Sequence, residues 1–535
     1  MGEMTVPADA YYGASTQRAA LNFPISNLRL GRPFIRALGL IKLASARVNA
    51  ALGLIEPRIA EAIQTAAREV ADGKLDGQFV VDVFQTGSGT STNTNANEVI
   101  ANRAGEILGG ERGSRLVHPN DHVNLGQSSN DVIPTAIHLA ALDEIEKRLI
   151  PALERLQTSL EAKSNEFWGV VKTGRTHLQD ATPIRLGQEF RGYAGQVQRG
   201  IRRLRHAQAE LAEVALGGTA VGTGVNTHPE FASRVCDVLS SELGVSVRET
   251  DNHFQAQSTL DAILEASGSL RTVAVSLQKV ANDIRWLGSG PRAGLGELTL
   301  PEVQPGSSIM PGKVNPVIAE SLIQVVAHVI GNDAAVCHAA QGSYFELNLM
   351  LPVAAYNLLQ SIELLAAAGN NFAERCVDGL SATARGPEIV ERGLMLATAL
   401  APAIGFVAWV TIARLVRGQM LSLKERDFVL AARAMGAPAW QIVFKHMLPN
   451  TLGPVTVAIV FGVPLAIFAE ATLGFIGIGL QPPTASLGVL TSEGYRYTQT
   501  HIWMLIFPVI GLAMLMLSFT FLGDGLRDAL DPRSR

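Results

Sequence analysis

Charge is scarce in this chain of 535 residues. Asp, Glu, Lys and Arg make up 17% of it, below the roughly 25% of ordinary soluble domains. With 44 basic and 48 acidic residues the net charge is −4. That balance gives the whole surface no electrostatic reason to bind nucleic acid, and none is expected as a partner. Cysteine is scarcer still. Cys236, Cys337 and Cys376 are too few and too scattered for a disulfide framework or an iron–sulfur cage, and they fit a reducing compartment. HExxH and CxxC spacings are missing, so no metal and no cofactor is expected. The opening MGEMTVPADAYYGAS has no apolar run behind a basic one, so no signal peptide is read there. Val6 stands where a myristoylation motif needs a hydroxyl residue. No strand–helix–strand alternation is visible, and the length fits two to four domains.

What is abundant is apolar sequence, and it is unevenly spread. Up to about residue 405 the composition is that of a soluble, helix-rich protein. Beyond that point, Ile502–Gly523 (523 − 502 + 1 = 22 residues) carries no charge and is long enough to cross a bilayer. Thr451–Leu480 holds Glu470 as its only charge. Leu394–Val410 is also uncharged but Ala-rich and interrupted by Pro402, so it is a poorer span. The competing reading of each run is a buried core helix, although a soluble helix of such length normally shows one polar face. Loop charges favour the membrane. Arg414, Arg417, Lys424, Arg426, Arg433 and Lys445 precede the first strong span, and Arg527, Arg533 and Arg535 follow the second. Between them, Gln481–His501 has Arg496 as its only basic residue. Basic flanks around a poorly basic connection place both flanks in the cytoplasm.

The soluble part carries a long helical stripe. Ile263, Leu270, Leu277 and Ile284 recur every seven residues, with Val273, Val280 and Leu287 beside them, until Gly288-Ser289-Gly290-Pro291 ends the pattern. The spacing predicts a helix from about Gln255 to Leu287, on the order of 50 Å long, in a bundle shared between subunits. Further amphipathic stretches run from Arg185 to about Leu216 and over Ile318–Ala340. The glycine-rich string GGTAVGTG (217–224) follows a helical pattern, not a strand, and reads as a tight helix–helix connection more readily than as a phosphate loop.

Four polar clusters could carry chemistry. Thr86-Gly87-Ser88-Gly89-Thr90-Ser91-Thr92-Asn93-Thr94-Asn95 offers donors to a carboxylate without adding charge; taken alone it reads as a solvated turn. His118-Pro119-Asn120-Asp121 precedes Gln127-Ser128-Ser129-Asn130-Asp131, which suits a helix N-cap and an anion alike. Gly174-Arg175-Thr176-His177-Leu178-Gln179-Asp180 holds an imidazole fit for proton transfer, though a single His is also read as a structural, hydrogen-bonded one. Gly306-Ser307-Ser308-Ile309-Met310-Pro311-Gly312-Lys313-Val314-Asn315-Pro316 cannot be a regular helix or a central strand. It reads as a loop that closes on a bound anion and brings Lys313 to developing negative charge. Together the clusters describe a site for a small polyanion without naming it.

GSSIMPGKVNP (306–316) resembles the signature loop of the fumarase/aspartase superfamily of lyases. GRTHLQDATPIRLGQEF and QSSND resemble the class II fumarases within it; aspartases carry Gln where this chain has His177. The resemblance runs from about Gly2 to Gly405. It implies a mainly all-α fold, a fumarase/aspartase-like bundle of long helices with a small N-terminal domain. It also implies a homotetramer without iron whose active sites each draw on three subunits, interconverting fumarate and (S)-malate. Carried onto this chain, Ser307 is the base for the C3 proton. His177 works on the hydroxyl or water side, held by Glu320. Lys313 and Asn315 stabilise the aci-carboxylate. Ser88, Gly89, Thr90, Ser128, Ser129, Asn130, Thr176 and Ser308 bind substrate, and His118, Pro119, Asn120 and Asp121 match a second anion site.

The remainder resembles an unrelated family. AARAMGAPAWQIVFKHMLPN (431–450), EATLGFIGIGLQPPTASLG and LGDGLRDALDPR are similar to dipeptide/oligopeptide ABC importer permeases, with Leu430 where a Glu is usual. This implies a transmembrane helical fragment and a surface at 425–450 for an ABC ATPase. The expected divisions are 1–127 (N-terminal lyase domain), 128–383 (central helical bundle), 384–405 (the start of a truncated C-terminal lyase domain) and 406–535 (permease-like fragment). Both parts are incomplete at Gly405/Phe406, with no Gly/Ser- or Pro-rich linker, which points to a join between unrelated sequences. The lyase part is expected in the cytoplasm, and the chain at the inner or plasma membrane if the spans insert. The alternatives are an ABC permease component for peptides or an inactive chimeric chain.

Overall fold

The computed structural model describes residues 3–306, 309–310, 313–393, 395–475 and 486–530. Two compact units are distinguished, Met1–Glu166 with Glu189–Ser381, and Phe167–Gln188 with Ala382–Arg535.

The first unit is a bundle of long helices. Helices α1 (Arg32–Ala51), α2 (Pro57–Ala71) and α3 (Thr90–Ile107) pack in sequence, and α1 also lies on α4 (Ser129–Glu144). Then come α5 (Ile150–Glu166), α6 (Leu186–Leu211), α7 (Asp261–Leu287), α8 (Val317–Ala340) and α9 (Leu351–Phe372). Further along, α7 packs on α8 and α8 on α9, with α9 returning to α4 and α5. The sevenfold stripe is what makes this possible. Ile263, Leu270, Leu277 and Ile284 are all at most 1% exposed, so a single face of α7 buries its whole length.

Two expected boundaries are corrected. The helix does not begin at Gln255, because Thr259 is extended and separates a short helix, His253–Ser258, from α7. There the Gln255 side chain donates to Thr259 Oγ1 and Asp261 Oδ2, local bonds that replace helical ones. Likewise α6 ends at Leu211, not near Leu216. The chain leaves it to pair Glu213–Val214 in parallel with Arg248–Glu249.

The second unit begins with an antiparallel hairpin, β1 (Val171–Thr176) and β2 (Gln179–Arg185), bulged between Thr173 and Arg175. It packs on a short helix, Arg385–Arg392, and on α10 (Met395–Lys424). Val429, Ala432, Ile442 and Met447 form a small core covered by Met420, Leu423, Ala437 and Val443. Helices α11 (Leu448–Phe475) and α12 (Trp503–Leu530) pack on each other and on Leu487–Arg496, which Ser486 caps. The expected span Thr451–Leu480 is helical as far as Phe475; residues 476–485 lie outside the described residues.

Candidate active site

Two of the four polar clusters meet where α3 and α4 begin. Gly89, at the turn into α3, has φ +73°, and a Cβ there would stand 2.9 Å from Ile133 of α4. Only glycine allows this turn against that helix. The buried Ser88 Oγ lies 2.7 Å from Thr90 Oγ1. On the other side Ser128 caps α4 in a reciprocal capping box, its N–H donating to Asp131 Oδ1 at 2.9 Å. Asn93 Nδ2 joins the two by donating to Ser129 Oγ at 3.0 Å. Ser88, Gly89, Thr90, Ser128, Ser129 and Asn130 therefore share one neighbourhood at two helix N-termini. Orphan N–H groups and the positive ends of the helix dipoles favour an anion there.

The 217–224 string also belongs here. Gly217 and Thr219 N–H donate to Asp131 Oδ2 at 3.1 and 2.9 Å, and Asn130 Nδ2 donates to Ala220 O at 2.8 Å. The expected helix connection is thus a clasp around the start of α4.

Beneath this cradle lies a residue that sequence reasoning passes over. Lys42, fully buried in α1, donates to Asn124 Oδ1 at 2.8 Å and to Gln127 Oε1 at 2.9 Å. Burial pulls its pKa down to about 7, an effect that the Asp131 charge offsets in part. Burial likewise pushes Asp131 up to about 6 against the lowering effect of the Ser128, Thr219 and Gly217 N–H groups and of Lys42. Two turns along α1, Asn49 Nδ2 donates to Leu125 O at 3.0 Å. The available signal is a polar seam, Lys42, Ser45 and Asn49 at i, i+3 and i+7, on the buried, mainly apolar face of the helix.

His118, Pro119, Asn120 and Asp121 form a wide helical turn in which His118 Nδ1 lies 3.1 Å from Asp121 Oδ2. In the second unit, Thr176 and His177 are exposed at the tip of the β1–β2 hairpin. His177 and Leu178 have φ +57° and +60°. Consecutive left-handed residues that are not glycine are strained, and strain of this kind gathers at functional sites. Ser307 and Ser308 lie outside the described residues. Asn315 Nδ2 donates to Gly306 O at 3.1 Å, and a Cβ on Gly306 would collide with the Lys313 carbonyl, so the loop is pinched at its base. Lys313 is exposed, and Glu320 sits in the first turn of α8. Among the described residues no hydrogen bond or ion pair ties Lys313, Asn315 or Glu320 to the cradle.

Known proteins with this arrangement are numerous. Residues 2–331 match the lyase family model, and residues 393–535 match that of the binding-protein-dependent transport system inner membrane component. A class II fumarate hydratase of Halobacterium salinarum is 60% identical over 407 residues, covering 76% of this chain and 87% of that protein. The mitochondrial fumarate hydratase of Saccharomyces cerevisiae is 51% identical over 450 residues, 84% of this chain and 92% of its own length. The crystal structure of class II fumarase from Schistosoma mansoni superposes with a TM-score of 0.74 at 38% identity, covering 83% of this chain and 96% of that one. Fold and sequence agree, and the chain belongs to the class II fumarases of the lyase family, with a C-terminal part of the ABC importer permease type.

Proposed function

We propose that the chain is a fumarate hydratase that interconverts fumarate and (S)-malate. The observation that carries this reading is the cradle of Ser88, Thr90, Ser128, Ser129 and Asn130 at two helix N-termini, which binds a carboxylate with neutral donors. From malate, Ser307 takes the C3 proton. The electron pair left behind spreads onto the adjacent carboxylate, and Lys313 and Asn315 stabilise that aci-carboxylate. The C2–O bond then breaks, and the hydroxyl leaves as water with a proton supplied on the His177 side, Glu320 holding the imidazole. A carbon acid beside a carboxylate is weakly acidic, so charge stabilisation contributes more than the base itself. Thr176 and Ser308 complete the substrate contacts, and His118–Asp121 take a second anion.

Among the described residues no hydrogen bond ties Lys313, Asn315 or Glu320 to the cradle within the first unit, which favours a homotetramer whose sites each draw on three subunits. The C-terminal part attaches this assembly to the inner or plasma membrane with the lyase in the cytoplasm, and residues 425–450 offer a surface to an ABC ATPase. Two strong spans do not make a transport pathway by themselves, so a peptide permease is the weaker reading.

Loss of fumarate absorbance, followed with the whole chain and with residues 1–405, tests the proposal. Turnover by the whole chain is expected. Turnover by neither form leaves an inactive chimera as the answer.

A further inference from the structure

Hydrogen bonds under the cradle have a fixed direction, and a single residue sets it. As an ammonium Lys42 Nζ can only donate. Asn124 must therefore turn Oδ1 toward it, at 2.8 Å, and Asn124 Nδ2 donates to Gln127 O at 3.1 Å. Asn124 Oδ1 also accepts from Asn93 Nδ2 at 3.2 Å, and this orients Asn93 in turn. The same Nδ2 donates to Ser129 Oγ at 3.0 Å. Ser129, already accepting, keeps its own O–H to donate outward. This orientation has a cost, because Asn93 Oδ1 is buried without a partner among the described residues. Turning the Asn93 amide over would place that oxygen against Ser129, which would then spend its proton inward.

We propose that Lys42 is a positioning residue of the substrate site. By fixing the Asn124 and Asn93 amides it leaves the Ser129 hydroxyl free to donate to a carboxylate of the four-carbon dianion. The inference rests on the proposed fumarate hydratase reading of the same cradle. Lys42 touches no substrate and acts through Asn124, Asn93 and Ser129. The neutral amine keeps two hydrogens for its two acceptors but gains a lone pair, so the ammonium is the form that fixes the direction.

The test is Lys42→Met in the full chain, solubilised in detergent, with Asn93→Ala as the second variant. Met fills a similar volume without donating, and Asn93→Ala cuts the relay while Lys42 keeps both acceptors. The KM for fumarate is expected to rise about tenfold or more in each, since one oriented donor to a charged group is lost, with kcat changed less than threefold. Thermal unfolding, followed in parallel, reports a purely structural role. A variant that melts lower yet keeps the wild-type KM overturns the inference, and so does a fall in kcat with KM unmoved. If Lys42→Met does not fold, the Asn93→Ala result decides alone. Wild-type turnover with unchanged variant KM sinks this inference only. A wild-type chain that neither turns over fumarate nor binds it calorimetrically sinks the hydratase reading and this inference with it.

Discussion

Helices α8 and α9 and helices α11 and α12 are all long and apolar, yet they treat their polar residues differently. In the first pair Asn357 and Ser361 donate to their own helix, but other groups reach across to neighbours. Asn332 of α8 donates to Ser361 of α9 at 3.1 Å, and Asp333 accepts from Ser267 at 2.7 Å and Arg271 at 2.6 Å. In the second pair they fold back on their own helix. Thr472 donates to Phe468 O, Ser518 to Met514 O and Thr520 to Met516 O, all within 2.9 Å. Cross-helix bonds specify a bundle built in water, whereas self-satisfaction is what a helix needs when its surroundings offer no partner. Hydropathy and burial separate the same pairs. Val317–Ala340 and Leu351–Val377 have mean hydropathy 1.2 with 39% and 50% of the apolar window buried. Gly453–Leu473 and Trp503–Leu526 reach 2.0 and 2.4 with 11% and 0% buried. Length and composition alone would admit all four as spans; what covers each helix tells them apart.

The comparison assigns chemistry to the lyase part, and the largest expected effect follows from that. His177→Asn and Ser307→Ala should each lower fumarate turnover by about 10²- to 10⁴-fold while circular dichroism keeps the helical signal. Loss of that signal would make these residues structural. A smaller effect tests what holds each region together. Phe372, fully buried in α9, should cost about 3–5 kcal/mol on truncation to Ala. Phe521 of α12, 72% exposed, should cost little in detergent. Equal losses at the two positions in thermal unfolding would break the contrast. Smaller again, Met514→Lys places a charge on an exposed face of α12. A water-facing helix would tolerate it, but a spanning one should lose about 3 kcal/mol of insertion free energy. Alkaline carbonate extraction of membranes then releases more of the variant than of the parent chain.

Much of this contrast is legible in the sequence because periodic burial and uncharged length are written directly in residue order. The α7 stripe and the uncharged run that became α12 are of that kind. The β1–β2 hairpin is not. Its two-residue tip needs left-handed backbone at both positions, normally announced by Asn-Gly, and His177-Leu178 gives no such cue. The break at Thr259 is also silent, since neither Gly nor Pro marks it. Lys42 is one of four basic residues in its helix, and its importance comes from Asn124 and Gln127, which are 124 − 42 = 82 and 127 − 42 = 85 positions away. Spacing within a segment can be read from sequence, but contacts across such distances appear only when the chain is folded.

Acid–base behaviour has the smallest expected effect, and it isolates two groups in the bundle. Folding lowers the Lys42 pKa from its ordinary value of 10.5 to about 7. Between those values the unfolded chain holds a proton that the folded chain has released, so stability from this group rises with pH from about 7 to about 10. Asp131 goes the other way: raised from 3.8 to about 6, it holds a proton in the folded chain that the unfolded chain has lost. Stability from Asp131 therefore falls as pH climbs from about 4 to about 6. Each slope is at most about 1.4 kcal/mol per pH unit for one proton. Melting temperatures of the full chain and of Lys42→Met, measured from pH 5 to 10, should diverge in slope on the alkaline side. Asp131→Asn should differ from the parent chain on the acid side instead. Parallel curves for Lys42→Met above pH 7 would mean that the buried lysine keeps its proton throughout. The Asn124 and Gln127 contacts would then be holding a permanent charge beneath the cradle.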